Sequence, residues 1–145
     1  MKLVCGLLLC MVGCGSAPEN VVSPQRPIFV DVGLQAGVTI RTVSGTPEKE
    51  HIVECNTSGA ALFDYDSDGD LDIFIVNGSR IGGYEQGQEP RAALYRNDGD
   101  WDFSEVGASA GVNHAGWGMG VSVVDYNADG NPDLYLANYG LHQLL

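Results

Sequence analysis

The sequence predicts an all-β protein built from a duplicated unit, and three observations carry that prediction. Short apolar runs rich in β-branched and aromatic residues alternate with Gly-, Asn- and Asp-rich stretches. No window sustains an apolar stripe at i, i+3, i+4 and i+7 for long enough to make a substantial helix, and 20 glycines weigh against one. An acidic nine-residue segment, Asp64 to Asp72, returns as Asp125 to Asp133, 61 residues further on.

The first segment lies outside the fold. Met1-Lys2 supplies a positive end, and Leu3 to Val12 is an apolar run too short to span a bilayer as a helix. Met11-Val12-Gly13-Cys14 resembles a bacterial lipoprotein signal, with Met11 where leucine is usual. The resemblance implies a signal peptide over 1–13, acylation of Cys14 and an extracytoplasmic chain anchored to a bacterial membrane, at the periplasmic face or the cell surface. Several acyl chains on one cysteine hold a protein at a membrane, whereas one is marginal. The competing reading, an ordinary secretory signal cut after Ala17, places Pro18 unfavourably beside the cut. Residues 14–27, with three prolines from Gly15 onward and no periodicity, read as a flexible tether. Cys5 and Cys10 leave with the signal and Cys14 takes the lipid, so Cys55 has no partner for an internal disulfide. Beside an apolar stretch, Cys55 reads as a small buried hydrophobe without a catalytic role.

Residues 28–145 carry the repeats. The apolar runs Ala60–Phe63 and Ile73–Val76 flank the first acidic loop, and Val121–Val124 and Leu134–Ala137 flank the second. Gly59 falls on Gly120 and Asn77 on Asn138 under the same shift. A second echo has a shift of 74: Phe29-Val30-Asp31-Val32 through Ala36-Gly37-Val38 matches Phe103-Ser104-Glu105-Val106 through Ala110-Gly111-Val112. The difference of 13 is an insertion at Thr42 to Asn56, whose Pro, Glu and Lys suit an exposed excursion. A short turn at Gly33–Gly37 is echoed at Gly107–Gly111. Continuous rather than alternating apolar runs predict strands covered on both faces, as in the stacked sheets of a propeller. One unit alone cannot bury both faces, so neighbouring units are required.

The loops predict calcium. Carboxylates stand at positions 1, 3, 5 and 9 of the first loop, as Asp64, Asp66, Asp68 and Asp72, and Asp70 at position 7 offers its carbonyl. Gly69 at position 6 takes the turn conformation that folds them inward. Ca²⁺ takes about 6 to 8 oxygen ligands, which these groups and one or two waters supply. The second loop keeps Asp125, Asn127, Asp129 and Asp133, with the Asn131 carbonyl; neutral Asn127 makes it the weaker of two sites. An EF-hand opens with the same Asp-x-Asp-x-Asp-Gly but needs a bidentate Glu at position 12 and flanking helices. Position 12 is Ile75 in one loop and Leu136 in the other. Plain Asp- and Gly-rich hairpin turns are the simpler reading, and two copies with one ligand spacing argue against it. An all-oxygen cage with carbonyls favours Ca²⁺ over Mg²⁺.

Phe63-Asp64-Tyr65-Asp66-Ser67-Asp68-Gly69-Asp70-Leu71-Asp72-Ile73 resembles the FG-GAP/VCBS-type repeat of integrin-like propellers. Leu94-Tyr95-Arg96-Asn97-Asp98-Gly99, followed by Phe103 to Gly111, further resembles the cartilage acidic protein and ASPIC/UnbV group. The resemblance covers nearly all of Ile28 to Leu145. It implies about two blades of a typically seven-bladed β-propeller, with calcium in loops between strands. It also implies a fragment, because Leu144-Leu145 falls where Leu94-Tyr95-Arg96-Asn97 begins and the ASPIC/UnbV segment that follows such propellers is not present.

Other chemistries find little support. A net charge of −12 with 7 scattered basic residues excludes nucleic acid, and 8 of the 19 acidic residues sit inside the two loops. His51, His114 and His142 share no zinc spacing, and no Gly-x-Ser-x-Gly supports a hydrolase. Asp98, Asp100 and Asp102 read as a hairpin turn, and Trp101 and Trp117 as packing residues. Asn56-Thr57-Ser58 and Asn77-Gly78-Ser79 match a glycosylation pattern that matters only in a eukaryotic secretory pathway. The expected role is a membrane-anchored, calcium-stabilised, non-enzymatic scaffold that binds a protein or glycan ligand of unknown identity. Two other readings stay open: a non-catalytic part of a larger propeller enzyme, and a calcium-responsive switch.

Overall fold

The computed structural model describes residues 28–56 and 58–145. Cys14, the signal-like residues 1–13 and the tether at 14–27 lie outside the described residues. The chain divides into a segment ending at Val30 and a unit from Asp31 to Leu145, and the fold that follows is that of the second.

The four apolar runs that flank the acidic loops become strands, and the loops turn the chain back. Strands β1 (Ala60–Phe63), β2 (Asp72–Ile75), β3 (Ala93–Asn97) and β4 (Phe103–Glu105) form one antiparallel sheet in chain order. Strands β5 (Gly118–Val124), β6 (Asp133–Asn138) and β7 (Gln143–Leu144) form a second. Sequential antiparallel meanders of this kind are the form of propeller blades. The register repeats with the sequence. Phe63 pairs with Asp72 at the mouth of the first acidic loop, and Val124 pairs with Asp133 at the mouth of the second. Ala93 faces Ile75 in one sheet as Gln143 faces Leu136 in the other, so Leu144 occupies the place of Leu94.

The connector between the second and third strands is long in the first repeat and short in the second, yet the same amide closes both. Asn77 donates to the Arg91 carbonyl at 3.2 Å, and Asn138 donates to the Leu141 carbonyl at 2.9 Å. Asn77 is buried, accepts the Val43 and Gly78 N–H groups and also donates to the Arg41 carbonyl. A glycan therefore has no access to it in the folded chain.

The shorter echo is reproduced bond for bond. Ala36 and Val38 donate to the carbonyls of Val32 and Gly33, and Ala110 and Val112 donate to those of Val106 and Gly107. The Asp31 carboxylate accepts the Gly33 N–H at 3.0 Å, as Glu105 accepts that of Gly107 at 2.9 Å.

The main core lies between the sheets. Phe63, Phe74, Val76, Ala92 and Leu94 from the first pack on Leu134 and Leu136 from the second. Burying a side chain the size of Phe74 contributes about 1.5–3 kcal/mol. A second cluster joins Ala93, Tyr95 and Phe103 to Ala36, Val38 and Ile40 on the opposite face of the first sheet. Near the interface the backbones almost touch. A Cβ on Gly59 would stand 2.9 Å from the Gly120 Cα, so glycine at 59 is a packing requirement.

Four expectations are corrected. Coverage of both faces holds for β3, whose Ala93, Leu94 and Tyr95 are all buried, but β1 and β6 expose Leu62 and Tyr135 on one face. The Thr42–Asn56 insertion is not wholly exposed. It closes in a 3₁₀ turn, Ile52–Cys55, that sinks Glu54 to 1% exposure and leaves the next residue, Cys55, exposed rather than buried. Trp117 is buried in the packing, but Trp101 is 77% exposed at the tip of the β3–β4 turn. That turn over Asp98–Asp102 is a hairpin, closed by the Asp98 N–H donating to the Asp102 carbonyl.

Candidate metal centre

Both acidic loops link the first and second strands of their sheets, and both have the same internal frame. At position 1, Asp64 accepts the N–H groups of Asp68 (3.1 Å) and Gly69 (3.0 Å), and Asp125 accepts those of Asp129 (3.1 Å) and Gly130 (2.9 Å). At position 5, Asp68 and Asp129 accept the N–H groups of Asp70 and Asn131, each at 2.8 Å. At position 9, Asp72 and Asp133 reach back to the N–H groups of Tyr65 (2.6 Å) and Tyr126 (2.8 Å). The backbone takes positive φ at position 6, +96° in Gly69 and +89° in Gly130, as the glycines predict.

It also takes positive φ at position 4, 64° in Ser67 and 59° in Ala128. Nothing in those residue types announces this, because the left-handed turn is imposed by the N–H groups that the position-1 carboxylate gathers.

Among the described residues, Asp64, Asp66 and Asp72 bring one carboxylate oxygen each to within 4.8 Å of one another. Asp72 is fully buried, Asp64 half-buried and Asp66 exposed, so the group opens to solvent on one side. An all-carboxylate donor set at this spacing fits a hard divalent cation, which also offsets the mutual repulsion of the charges. Asp68 and Asp70 stand outside this group, Asp68 with its carboxylate on the Asp70 N–H.

The second loop arranges its position 3 otherwise. Asn127 donates to Asp129 at 2.9 Å and accepts the Asp129 N–H at 2.9 Å, so its amide is engaged within the loop. The Asp129 carboxyl is held below the usual carboxylate range, first by the Asn131 N–H and then by the Asn127 amide. Asp125 and Asp133 are the other carboxylates of that loop's frame, and Asp133 is half-buried where Asp72 is wholly buried.

The residue that sequence reading did not single out is Asn97, at the end of β3. Its N–H donates to the second Asp72 oxygen at 2.8 Å, and its side chain donates to the Leu71 carbonyl at 3.3 Å. Asp72 is thus aimed by donors from both its own loop and a strand 25 residues away. Next to it, Arg96 pairs with Asp98 at 2.6 Å. The Asp98 hydrogen bond raises the guanidinium pKa further, with a smaller contribution from the field of Asp66. The Asp98 carboxyl is lowered, first by the Ser104 hydroxyl and then by Arg96, which ties Asp98 to β4.

No helix among the described residues is long and apolar enough to cross a membrane. No curated protein matches the chain. A family model described as an FG-GAP-like repeat matches residues 64–136, from the first aspartate of the first loop into β6. That span takes in both loops, the whole of β2 to β5 and half of the chain, and with it the protein belongs to the FG-GAP-like repeat family.

Proposed function

We propose that the chain is a calcium-stabilised propeller segment that serves as a binding and assembly scaffold outside the cytoplasm. The observation that carries this is the convergence of Asp64, Asp66 and Asp72 on one point, within 4.8 Å, in a loop whose frame is repeated at Asp125–Asp133. A cation held there supplies charge compensation and ties the hairpin mouth to β3 through Asp72 and Asn97. The reading gives the chain two calcium sites, the first stronger than the second, and no catalysis of its own. Because an ion bound to the folded state alone adds to stability by mass action, calcium at a hundred times Kd contributes about 2.7 kcal/mol.

Within the repeat family we place the chain in the cartilage acidic protein and ASPIC/UnbV group, on Leu94–Gly99 and Phe103–Gly111. Acylation at Cys14 is the proposed tether to a bacterial membrane, on the strength of Met11-Val12-Gly13-Cys14 following an apolar run. The scaffold's ligand is a protein or a glycan. Scanning calorimetry with calcium and with EGTA tests the central reading. The expected result is a rise in Tm on the order of 10 °C with saturating calcium, abolished in a variant carrying both Asp64→Ala and Asp125→Ala. Equal melting in both media, with no heat of calcium binding, overturns it. The anchor is checked in the same protein by palmitate labelling, which Cys14→Ser should eliminate and which an unlabelled wild type would refute.

A further inference from the structure

Among the described strands Arg96 is the one basic residue, and it stands at the end of β3 that borders the first acidic loop. β2 and β3 pair in register as far as Ile73 opposite Tyr95. One step further brings Arg96 level with Asp72, the buried member of the Asp64–Asp66–Asp72 group. The next residue closes the tie, because the Asn97 N–H donates to Asp72 at 2.8 Å. Strand alternation sets Arg96 on the face of Leu94, and that is the face against which Tyr65 of the loop packs.

The guanidinium is held in one place. Its Nε donates to one Asp98 oxygen at 2.7 Å, a terminal nitrogen lies 2.6 Å from the same oxygen, and the Ser104 hydroxyl donates to the other. Both partners are in reach of solvent, and such a pair contributes little to stability by itself. Its surroundings give it a second use. Three carboxylates meet within 4.8 Å beside it, and Asp66 has no hydrogen-bond partner among the described residues. The guanidinium pKa is raised, most by the Asp98 hydrogen bond and less by the charge of Asp66, so the field of the loop reaches it.

We propose that Arg96 is the built-in counter-ion of the Asp64–Asp66–Asp72 group and so sets its affinity for a cation, with Asp98 as the residue that positions it. The affinity role rests on the reading of that group as a calcium site. Without an ion, the guanidinium offsets part of the repulsion among the three carboxylates. When a divalent ion enters, the same charge opposes it, so a loop that is stable while empty binds less tightly than its carboxylates alone would allow. Asp98 keeps the guanidinium on the β3–β4 turn. Released from it, the guanidinium is free to swing onto the Asp66 carboxylate and cover a ligand, since a carboxylate is the acceptor its donor fork matches.

Titration calorimetry of the full chain with calcium is the first arm of the test, the second loop serving as internal reference. Arg96→Met keeps an apolar stem and should tighten the first site about fivefold, the size expected of one unit charge near a divalent ion in a screened setting. Asp98→Asn should weaken that site, and should lose most of this effect in the Arg96→Met background, because Asp98 acts through the guanidinium. A first site that Arg96→Met leaves unchanged or weaker overturns the proposal, as does an Asp98→Asn effect that persists in full without the arginine. Melting in EGTA is the second arm and needs no ion. There Arg96→Met should lower Tm by about 2 °C, and by less in an Asp66→Asn background, where part of the charge it offsets is gone. Equal losses in the two backgrounds overturn the counter-ion role even if calcium binds. A wild type that binds no calcium overturns the cation reading instead, and the EGTA comparison still decides whether Arg96 is the counter-ion.

Discussion

The two acidic loops hold the same backbone with different side chains, and the contrast separates what the fold requires from what an ion requires. Positions 1, 5 and 9 make the same hydrogen bonds in both, so these three aspartates are needed to form the turn whether or not a cation is present. Position 3 is where they part. Asn127 is used up inside its loop, whereas Asp66 has no hydrogen-bond partner among the described residues and is left to face the Asp64 and Asp72 carboxylates. An exposed carboxylate with no hydrogen bond of its own, close to two others, is the group the proposed cation would engage first.

Position 9 gives the largest test of the contrast. Asp72 is fully buried and takes N–H groups from Tyr65 and Asn97, whereas the half-buried Asp133 takes only that of Tyr126 among the described residues. Removing a buried acceptor strands its donors at about 1–3 kcal/mol each. Asp72→Ala should therefore cost about 3 kcal/mol and Asp133→Ala about 1 kcal/mol, measured by urea denaturation in EGTA so that no ion contributes. Equal costs would mean that the strand-to-loop tie through Asn97 carries no weight.

The next test exchanges the two loops at position 3. Asp66→Asn converts the first loop to the pattern of the second and should weaken its calcium binding about tenfold, near 1.4 kcal/mol. Asn127→Asp should strengthen the second loop by a similar factor. Titration calorimetry of both variants reads this directly. If Asp66→Asn leaves affinity unchanged, position 3 is not a ligand and the ranking of the loops loses its basis.

These residues also mark how far the fold and the site could be read from the sequence. β1 matches the predicted Ala60–Phe63 residue for residue, because a run ending at an aspartate-rich turn has few alternatives. The repeat spacings were legible for the same local reason, and the structure repeats their hydrogen bonds. The donors to Asp72 were not legible, since one of them comes from Asn97 across the sheet. Nor were Ser67 and Ala128, whose left-handed backbone is dictated by a neighbour's carboxylate and not by their own side chains. Cys55 is exposed where its apolar neighbours suggest burial, because Glu54 takes the inward place, and a charged residue gives no local sign that it will be the one facing inward.

Glu54 supplies the smallest and most local test, since the insertion it anchors has no counterpart in the second repeat. Its carboxylate accepts the N–H groups of Thr46 (2.9 Å) and His51 (3.0 Å) and lies 3.5 Å from the His51 ring nitrogen, while Gly45 packs directly against its side chain. The Thr46 N–H, most of all, lowers its pKa from 4.5, with burial opposing and His51 assisting. A depressed folded pKa means that ionised Glu54 stabilises the insertion fully above its unfolded value, and that the contribution fades as pH falls through the folded one. The window therefore lies below pH 4.5. Amide exchange, corrected for intrinsic rates, should show the Thr46 and His51 N–H groups losing protection across that window while the second repeat's Asn138 region keeps its own. Glu54→Gln should remove the acid dependence, because an amide keeps one acceptor oxygen at every pH. Protection at Thr46 that does not change with acid would show that the insertion is held by its backbone alone, and the first repeat would then differ from the second in length but not in how it is fastened.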